Sequence, residues 1–370
     1  MLKSLSILVL CTLMVSACAT RPPGMGDPVD WSDLQSWRSD NHGDAWQGFL
    51  QGCEKLKGTQ WRTVCDLAGN SGDLSDAEAR EFFESHFEVR PVYAEGGETE
   101  GLITGYYEPL LRGSWERSDE FRYPLYGVPE DLLIVDLGAI YPQLKNLRLR
   151  GKLEGNRVVP YHDRAQLNDD PDLLQGTEIL WVNSPVDVFF LHVQGSGLVE
   201  LTDGSLIAVG YAEQNGHPYQ SIGRVLIEMG ELEREAVTLF SIKDWLKSNP
   251  ARADEILAKN PSYIFFELRD AAADGPVGSL NVALTPRRSI AVDRNVIPLG
   301  APVWLQTTLP DERQSPLNQL MLAQDTGGAI KGHVRADVFW GRGDEAEKLA
   351  GLMKQQGRLF VLLPRGYPVE

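Results

Sequence analysis

The sequence predicts a mainly β protein with peripheral helices, and three observations carry that prediction. Thirty-six glycines, 22 prolines and 32 aromatic residues supply turn residues and strand formers rather than the composition of a helical bundle. Short apolar runs broken by Gly, Pro and Asp fill residues 102–209 and return beyond 275. Helical spacing is confined to an N-terminal preface, to about 221–259 and to one segment near the C-terminus. At 370 residues, 42% hydrophobic and 24% charged, the chain has room for two domains of ordinary soluble composition. A net charge of −17 argues against wrapping nucleic-acid phosphates, which needs basic clusters. None of the six histidines pairs at ligand spacing, so no metal site is expected.

The N-terminus reads as an export signal. Lys3 precedes an apolar run from Leu5 to Val15, too short to span a bilayer, and then Val15-Ser16-Ala17-Cys18. The last four residues resemble a bacterial lipobox, cut before a cysteine that takes lipid; a plain signal with an incidental cysteine is the alternative. Residues 1–17 are therefore expected to be a signal peptide, with Cys18 lipidated and the Pro/Gly-rich stretch 18–30 serving as a tether. Cys53 and Cys65 remain for an oxidising compartment. They form either a disulfide that staples the preface or two separate buried thiols.

Taken in order, segments 32–38 and 44–57 carry helical spacing, with Trp37, Trp46, Phe49, Leu50 and Cys53 as core candidates. Ser75-Asp76-Ala77-Glu78 opens a further helix as a capping box, which buries Phe82, Phe83 and Phe87. Strands are expected at LITGYY, LLIVDL, ILWVN, VFFLHVQG and SLIAVGY, and helices near 221–229, 241–248 and 251–259, the last begun by Pro250. Strands resume at VALT, VWLQ, LMLAQD and RADVFW. A helix from Asp344 to Gln356, stopped by Gly357, precedes a final strand, LFVLLP. This order fits two consecutive domains or one β domain inserted in another, and periodicity does not choose between them.

The candidate chemistry lies among carboxylates. Asp325 follows an apolar strand and precedes two glycines; Asp337 has Val338, Phe339 and Trp340 behind it. A carboxyl beside apolar walls is desolvated, its pKa rises, and it can act as a general acid near neutral pH. The bland reading is that Asp325 caps a Gly-rich turn and Asp337 ends a strand. Asp325-Thr326-Gly327 matches the short aspartic-protease motif, but a pepsin-like chain needs a second such motif and none occurs. Gly-x-Ser-x-Gly, P-loop and GxGxxG patterns are also absent, so neither that nucleophile nor a nucleotide cofactor is expected. Thr104-Gly105-Tyr106-Tyr107-Glu108-Pro109, Gln194-Gly195-Ser196-Gly197, Gly210-Tyr211 and Asn215-Gly216-His217-Pro218-Tyr219 combine aromatics, amides and turns in the manner of a sugar cleft. Glu108 is the rival of the two aspartates for acid/base duty.

The lipobox, TGYYEP, VFFLHVQGSG, GYAEQNGHPYQSIGRVLI, NPSYIFF and DTGGAIKG…RADVFWG occur in one order that resembles the membrane-bound lytic murein transglycosylase A family, from about residue 95 to 365. The resemblance implies a catalytic domain like a double-psi β-barrel, built from 31–112 and 236–368, with an inserted β domain at 113–235 forming the other wall of a glycan cleft. It implies cleavage of the β-1,4 bond between N-acetylmuramic acid and N-acetylglucosamine in peptidoglycan without water, leaving 1,6-anhydro ends. Asp337 matches the family's catalytic aspartate, Asp325 its partner, and Thr104 a cleft threonine, whereas Glu108 stands where the family tolerates non-acidic residues. Tyr106, Tyr107, Gln194, Ser196, Tyr211, Asn215, His217 and Lys331 are the further candidate glycan contacts. No cofactor or metal is implied. The expected partners are glycan strands and, through Cys18, the outer membrane on its periplasmic side, a placement that Ala19 supports by not being Asp. A monomer is expected. A hydrolase on the same cleft and a non-catalytic peptidoglycan-binding lipoprotein are the rival functions.

Overall fold

In a computed structural model, residues 22–368 are described apart from 57, 145, 146, 148 and 271–274. The expected signal segment and Cys18 lie outside the described residues. The chain builds two large sheets. In the first, six strands pair in a closed circuit: Gly101–Glu108, Ala336–Arg342, Ser289–Val292, Pro316–Asp325, Pro302–Thr308 and Lys354–Pro364, which returns to Gly101–Glu108. The other end of Lys354–Pro364 pairs with Phe87–Tyr93, and Gly24–Met25 adds to that edge. The circuit closes on a continuous apolar core; all four residues of Ser289–Val292 are buried.

The second sheet runs Ile264–Arg269, Leu206–Gln214, Gly197–Leu201, Leu110–Ser114, Glu178–Val182, Tyr123–Tyr126. It is entered directly from Gly101–Glu108 through Pro109 and left at Arg269, and it has its own core around Leu180, Val199 and Phe266. The expected insert boundaries at 113 and 235 therefore do not coincide with the sheets. Strand Ile264–Arg269 pairs with Leu206–Gln214, and the helices Ile222–Glu228, Leu239–Ser248 and Pro250–Ala258 connect those two strands.

The preface helices Gly43–Lys55, Thr59–Ser71 and Asp76–His86 cover one side of the circuit with Trp46, Phe49, Phe82 and Phe83. Cys53 and Cys65 are disulfide-bonded, which joins the first two of these helices. The expected box at the third is present: Ser75 and Glu78 accept from each other's backbone amides. A buried ion pair ties the preface to the circuit. Arg288 donates to both carboxylate oxygens of Asp40, at 2.9 and 3.0 Å, and to the carbonyls of Asn41 and Leu320. Asp40 in turn accepts from the Leu320 amide.

Several elements differ from expectation, each for a local reason. VFFLHVQG is a helix, Pro185–Gln194, because Ser184 caps its amides, Pro185 fills its first turn, and Gly195 closes it at φ 84°. An eight-residue apolar run without alternation does not distinguish the two structures. The helix at 344 ends at Leu352, since Gln355, Gln356 and Gly357 pair with Ile103, Leu102 and Gly101. VALT forms only a single bridge, Ala283 to Val277, and LLIVDL contributes only Leu133–Ile134 to a small third sheet. Segment 32–38 is not one helix but falls between two 3-10 turns, Trp31–Asp33 and Trp37–Ser39. The tether is shorter than 18–30, because residues 24–25 and 29 already pair with Phe87–Tyr93.

Replacing Arg288 by Met leaves Asp40 as a buried charge without its partner, and is expected to lower stability by about 3–5 kcal/mol. The urea midpoint reads this loss, and the double variant Asp40→Leu/Arg288→Met should recover part of it.

Candidate active site

Register brings the two aspartates together. Ala291 pairs with Asp325 on one side, after a bulge, and with Asp337 on the other, while Asp337 pairs with Thr104. Directly paired residues project on the same face of a sheet. Asp325, Ala291, Asp337 and Thr104 therefore form one row, with the smallest side chain between the carboxylates. The row opens on a cleft of about 290 Å³ between the two sheets. The circuit contributes Thr104, Tyr106, Asp325, the turn 326–330, Arg335 and Asp337. The second sheet and its helices contribute His192, Gln194, Tyr211, Gln214, Tyr219 and Ser262.

The two carboxylates have unlike surroundings. Asp325 accepts four hydrogen bonds: from the Ser279 amide (2.9 Å), the Ser279 hydroxyl (3.0 Å), the Thr326 amide (2.8 Å) and the Tyr106 hydroxyl (3.0 Å). The loop carrying Ser279 can approach because Gly278 has no Cβ, which would stand 2.6 Å from the Gln324 carbonyl oxygen. Among the described residues Asp337 accepts one hydrogen bond, from the Thr104 hydroxyl at 2.5 Å to Oδ1. Burial raises the pKa of both. At Asp325 the four donors oppose that rise. At Asp337 the opposing influences are the Arg335 charge and Thr104, while the negative charge of Asp325 adds to the rise. Asp325 is the carboxylate with more hydrogen-bond donors, and Asp337 the one whose charge is balanced mainly by a neighbouring arginine. Two carboxyl groups in unlike surroundings can take different protonation states.

The wall opposite is neutral. Burial and the Arg164 charge hold His192 well below the usual histidine range. Its Nδ1 accepts from Arg164 at 3.0 Å, so the ring is unprotonated at that nitrogen. Burial raises the Tyr219 phenol, which stays protonated. Among the described residues no group of three or more His, Cys, Asp or Glu could hold a metal ion.

Thr104, Tyr106, Gln194, Tyr211, Asp325 and Asp337 all line the cleft; the other expected contacts do not. Tyr107 points to the opposite face of its strand, as alternation with Tyr106 requires, and its buried hydroxyl donates to Glu347. Asn215 is 1% exposed and spends its amide on the carbonyls of His162 and Pro261 and on the Tyr263 amide. His217 bonds the Tyr161 carbonyl, Ser196 lies beyond the helix cap, and Lys331 stands exposed on the loop past Ile330. Glu108 is buried in an ion pair with Arg342, away from the cleft. Ser279 and Arg335 were not among the expected site residues, and Tyr219 was named only as the end of the stretch 215–219. Arg335 was legible in principle, since it stands two residues before Asp337, immediately ahead of the strand Ala336–Arg342, and lines the same cleft. Ser279 has no local signal; only the fold of its loop brings it to Asp325.

Two family models match the chain: the MltA specific insert domain over residues 102–267 and the 3D domain over residues 288–363. The membrane-bound lytic murein transglycosylase A of Escherichia coli K12 is 35% identical over 373 residues, covering 94% of this chain and 92% of that protein. The crystal structure of MltA from Neisseria gonorrhoeae, monoclinic form, superposes with a TM-score of 0.77 at 36% identity, over 95% of this chain and 98% of that one. E. coli MltA with bound chitohexaose superposes with a TM-score of 0.68 at 25% identity, over 93% and 95% of the two chains.

Replacing Arg335 by Gln removes a positive charge that favours ionised Asp337. The Asp337 carboxyl should then titrate at a higher pH than in the wild type, as read by its side-chain carboxyl carbon in an NMR titration. An unchanged or lowered midpoint would contradict the assigned electrostatics.

Proposed function

This chain belongs to the membrane-bound lytic murein transglycosylase A family, and we propose that it cleaves peptidoglycan glycan strands with Asp337 as acid and then base. The observation that carries the reading is the pair of unlike carboxylates level with each other in the cleft between two sheets. The glycan would lie in that cleft, as the chitohexaose bound to the E. coli relative suggests. We take the closed circuit of strands as the double-psi-like catalytic domain and the six-stranded sheet as the inserted wall.

Thr104 donates to Oδ1, so the proton of neutral Asp337 sits on Oδ2, free to pass to the glycosidic oxygen between N-acetylmuramic acid and N-acetylglucosamine. As the bond breaks, positive charge develops at C1 of the muramyl ring in an oxocarbenium-like state. The Asp325 anion, held by four donors, stands in the row facing that charge. The new Asp337 carboxylate is stabilised by Thr104 and by the Arg335 charge. It then takes the proton from the muramyl C6 hydroxyl, which attacks C1 and closes the 1,6-anhydro ring. The tethered hydroxyl brings the entropic advantage of an intramolecular nucleophile, so a second carboxylate to activate water is not needed.

We also propose that lipid on Cys18 anchors the mature chain, as a monomer, to the outer membrane facing the periplasm. Among the described residues strand pairing is first seen at Gly24, six residues after Cys18, a stretch of chain that can reach at most about 20 Å. The folded body would therefore stand close to the bilayer surface.

Digestion of sacculi by the wild type should release muropeptides lighter by one water than hydrolytic products, identified by mass spectrometry. Reducing-end products would instead favour a hydrolase. Asp337→Asn should lower the rate at least 10²- to 10⁴-fold, the range for general acid–base loss, with an unchanged melting profile. Undiminished activity would sink the assignment.

A further inference from the structure

A second cavity of about 390 Å³ lies behind the cleft wall, and its floor carries an uncompensated charge. Arg164 is 4% exposed and lines this cavity. Its guanidinium sits between two aromatic faces that also line it, 5.0 Å from the Phe189 centroid and 4.9 Å from that of Tyr263. Nε donates to the Asn260 carbonyl, and Nη2 meets the Ser262 carbonyl and His192 Nδ1. Nη1 has no hydrogen-bond partner among the described residues, and protein atoms do not seal it off. No carboxylate pairs with this guanidinium among the described residues. Burying a cation without a counter-ion is costly, and the Arg164 guanidinium stays charged at neutral pH, although burial pulls it down to about 10.

The mouth has the opposite sign. Asp169 and Asp254 line the same cavity, are exposed, and have no ion-pair partner among the described residues. A simple anion drawn to Arg164 would be repelled by these two, whereas a molecule carrying an ammonium beside its carboxylate satisfies both ends. The apolar walls, Tyr126, Phe189 and Tyr263, suit a short carbon skeleton between them.

We propose that this cavity binds an amino-acid zwitterion, its carboxylate on Arg164 Nη1 and its ammonium at Asp169 and Asp254. Two sources share that chemistry: a free amino acid, and the free end of a diamino acid in a wall peptide. The inference goes beyond the transglycosylase reading and does not need it, because binding is measured whether or not anhydro products form.

Calorimetric titration of the whole protein with alanine, acetate and ethylammonium tests it. Alanine should bind saturably at millimolar concentration, and acetate and ethylammonium each at least about tenfold more weakly. Arg164→Gln should abolish alanine binding, but it also releases the Asn260 and Ser262 carbonyls and can unfold the wall. The decisive variant is therefore Asp169→Asn/Asp254→Asn on the exposed rim. It should weaken alanine at least about tenfold without weakening acetate. Absence of saturable alanine binding, equal binding of acetate, or an unchanged alanine affinity in the double variant would each overturn the proposal. A tripeptide ending in a diamino acid with a free amine and carboxylate separates the sources: tighter binding than alanine assigns the site to the wall peptide, weaker binding to free amino acids.

Discussion

The site rests on the register of one four-residue strand. Ser289–Val292 runs between the two aspartate strands, parallel to one and antiparallel to the other, and Ala291 stands level with an aspartate on both sides. A slip of one residue would turn either carboxylate away from the cleft. The strand is held at its start by Arg288, whose buried pairing with Asp40 and the Leu320 carbonyl ties it to the preface and to the Pro316–Asp325 strand together. The preface helices thus do more than cover the core. They fix the element that sets the spacing of the charges.

Spacing alone would leave two equivalent carboxyl groups. What separates them is the supply of donors, four to Asp325 against one to Asp337. Burial raises both; the four donors oppose that rise at Asp325, and the Arg335 charge and Thr104 oppose it at Asp337. Asp325 spends its lone pairs on fixed backbone and hydroxyl donors from three segments of the chain. Among the described residues Asp337 keeps one oxygen free of protein donors, which is the condition for handing a proton to something that enters the cleft.

Much of this was legible in the residues. The apolar run before Asp325 and the aromatic run after Asp337 announced desolvated carboxyls, and the capping box at Ser75 and the strands from Val303 onward read correctly. Three kinds of information were not local. A run such as VFFLHVQG carries no period, so its helix is declared only by Ser184, Pro185 and Gly195 at the ends. The sugar-like composition around Asn215 and His217 serves a turn whose carbonyls need partners, because amide-rich segments satisfy backbone as readily as ligand. Tyr107 fails for the simplest reason: two adjacent strand residues cannot face one cleft. Ser279 was invisible because it meets Asp325 across 46 residues of chain.

The proposed mechanism asks one carboxyl to serve in both directions, and the surroundings of Asp337 suit that demand. An acid that becomes a base within one turnover must be neither strongly acidic nor strongly basic, so its charged form needs moderate support. Burial and the Asp325 charge press Asp337 toward the neutral form; Thr104 and Arg335 press it toward the anion. Removing either side would fix the group in one state. The small Ala291 side chain between the aspartates leaves the two charges in electrostatic contact without a direct hydrogen bond, so Asp325 influences the proton on Asp337 without competing for it.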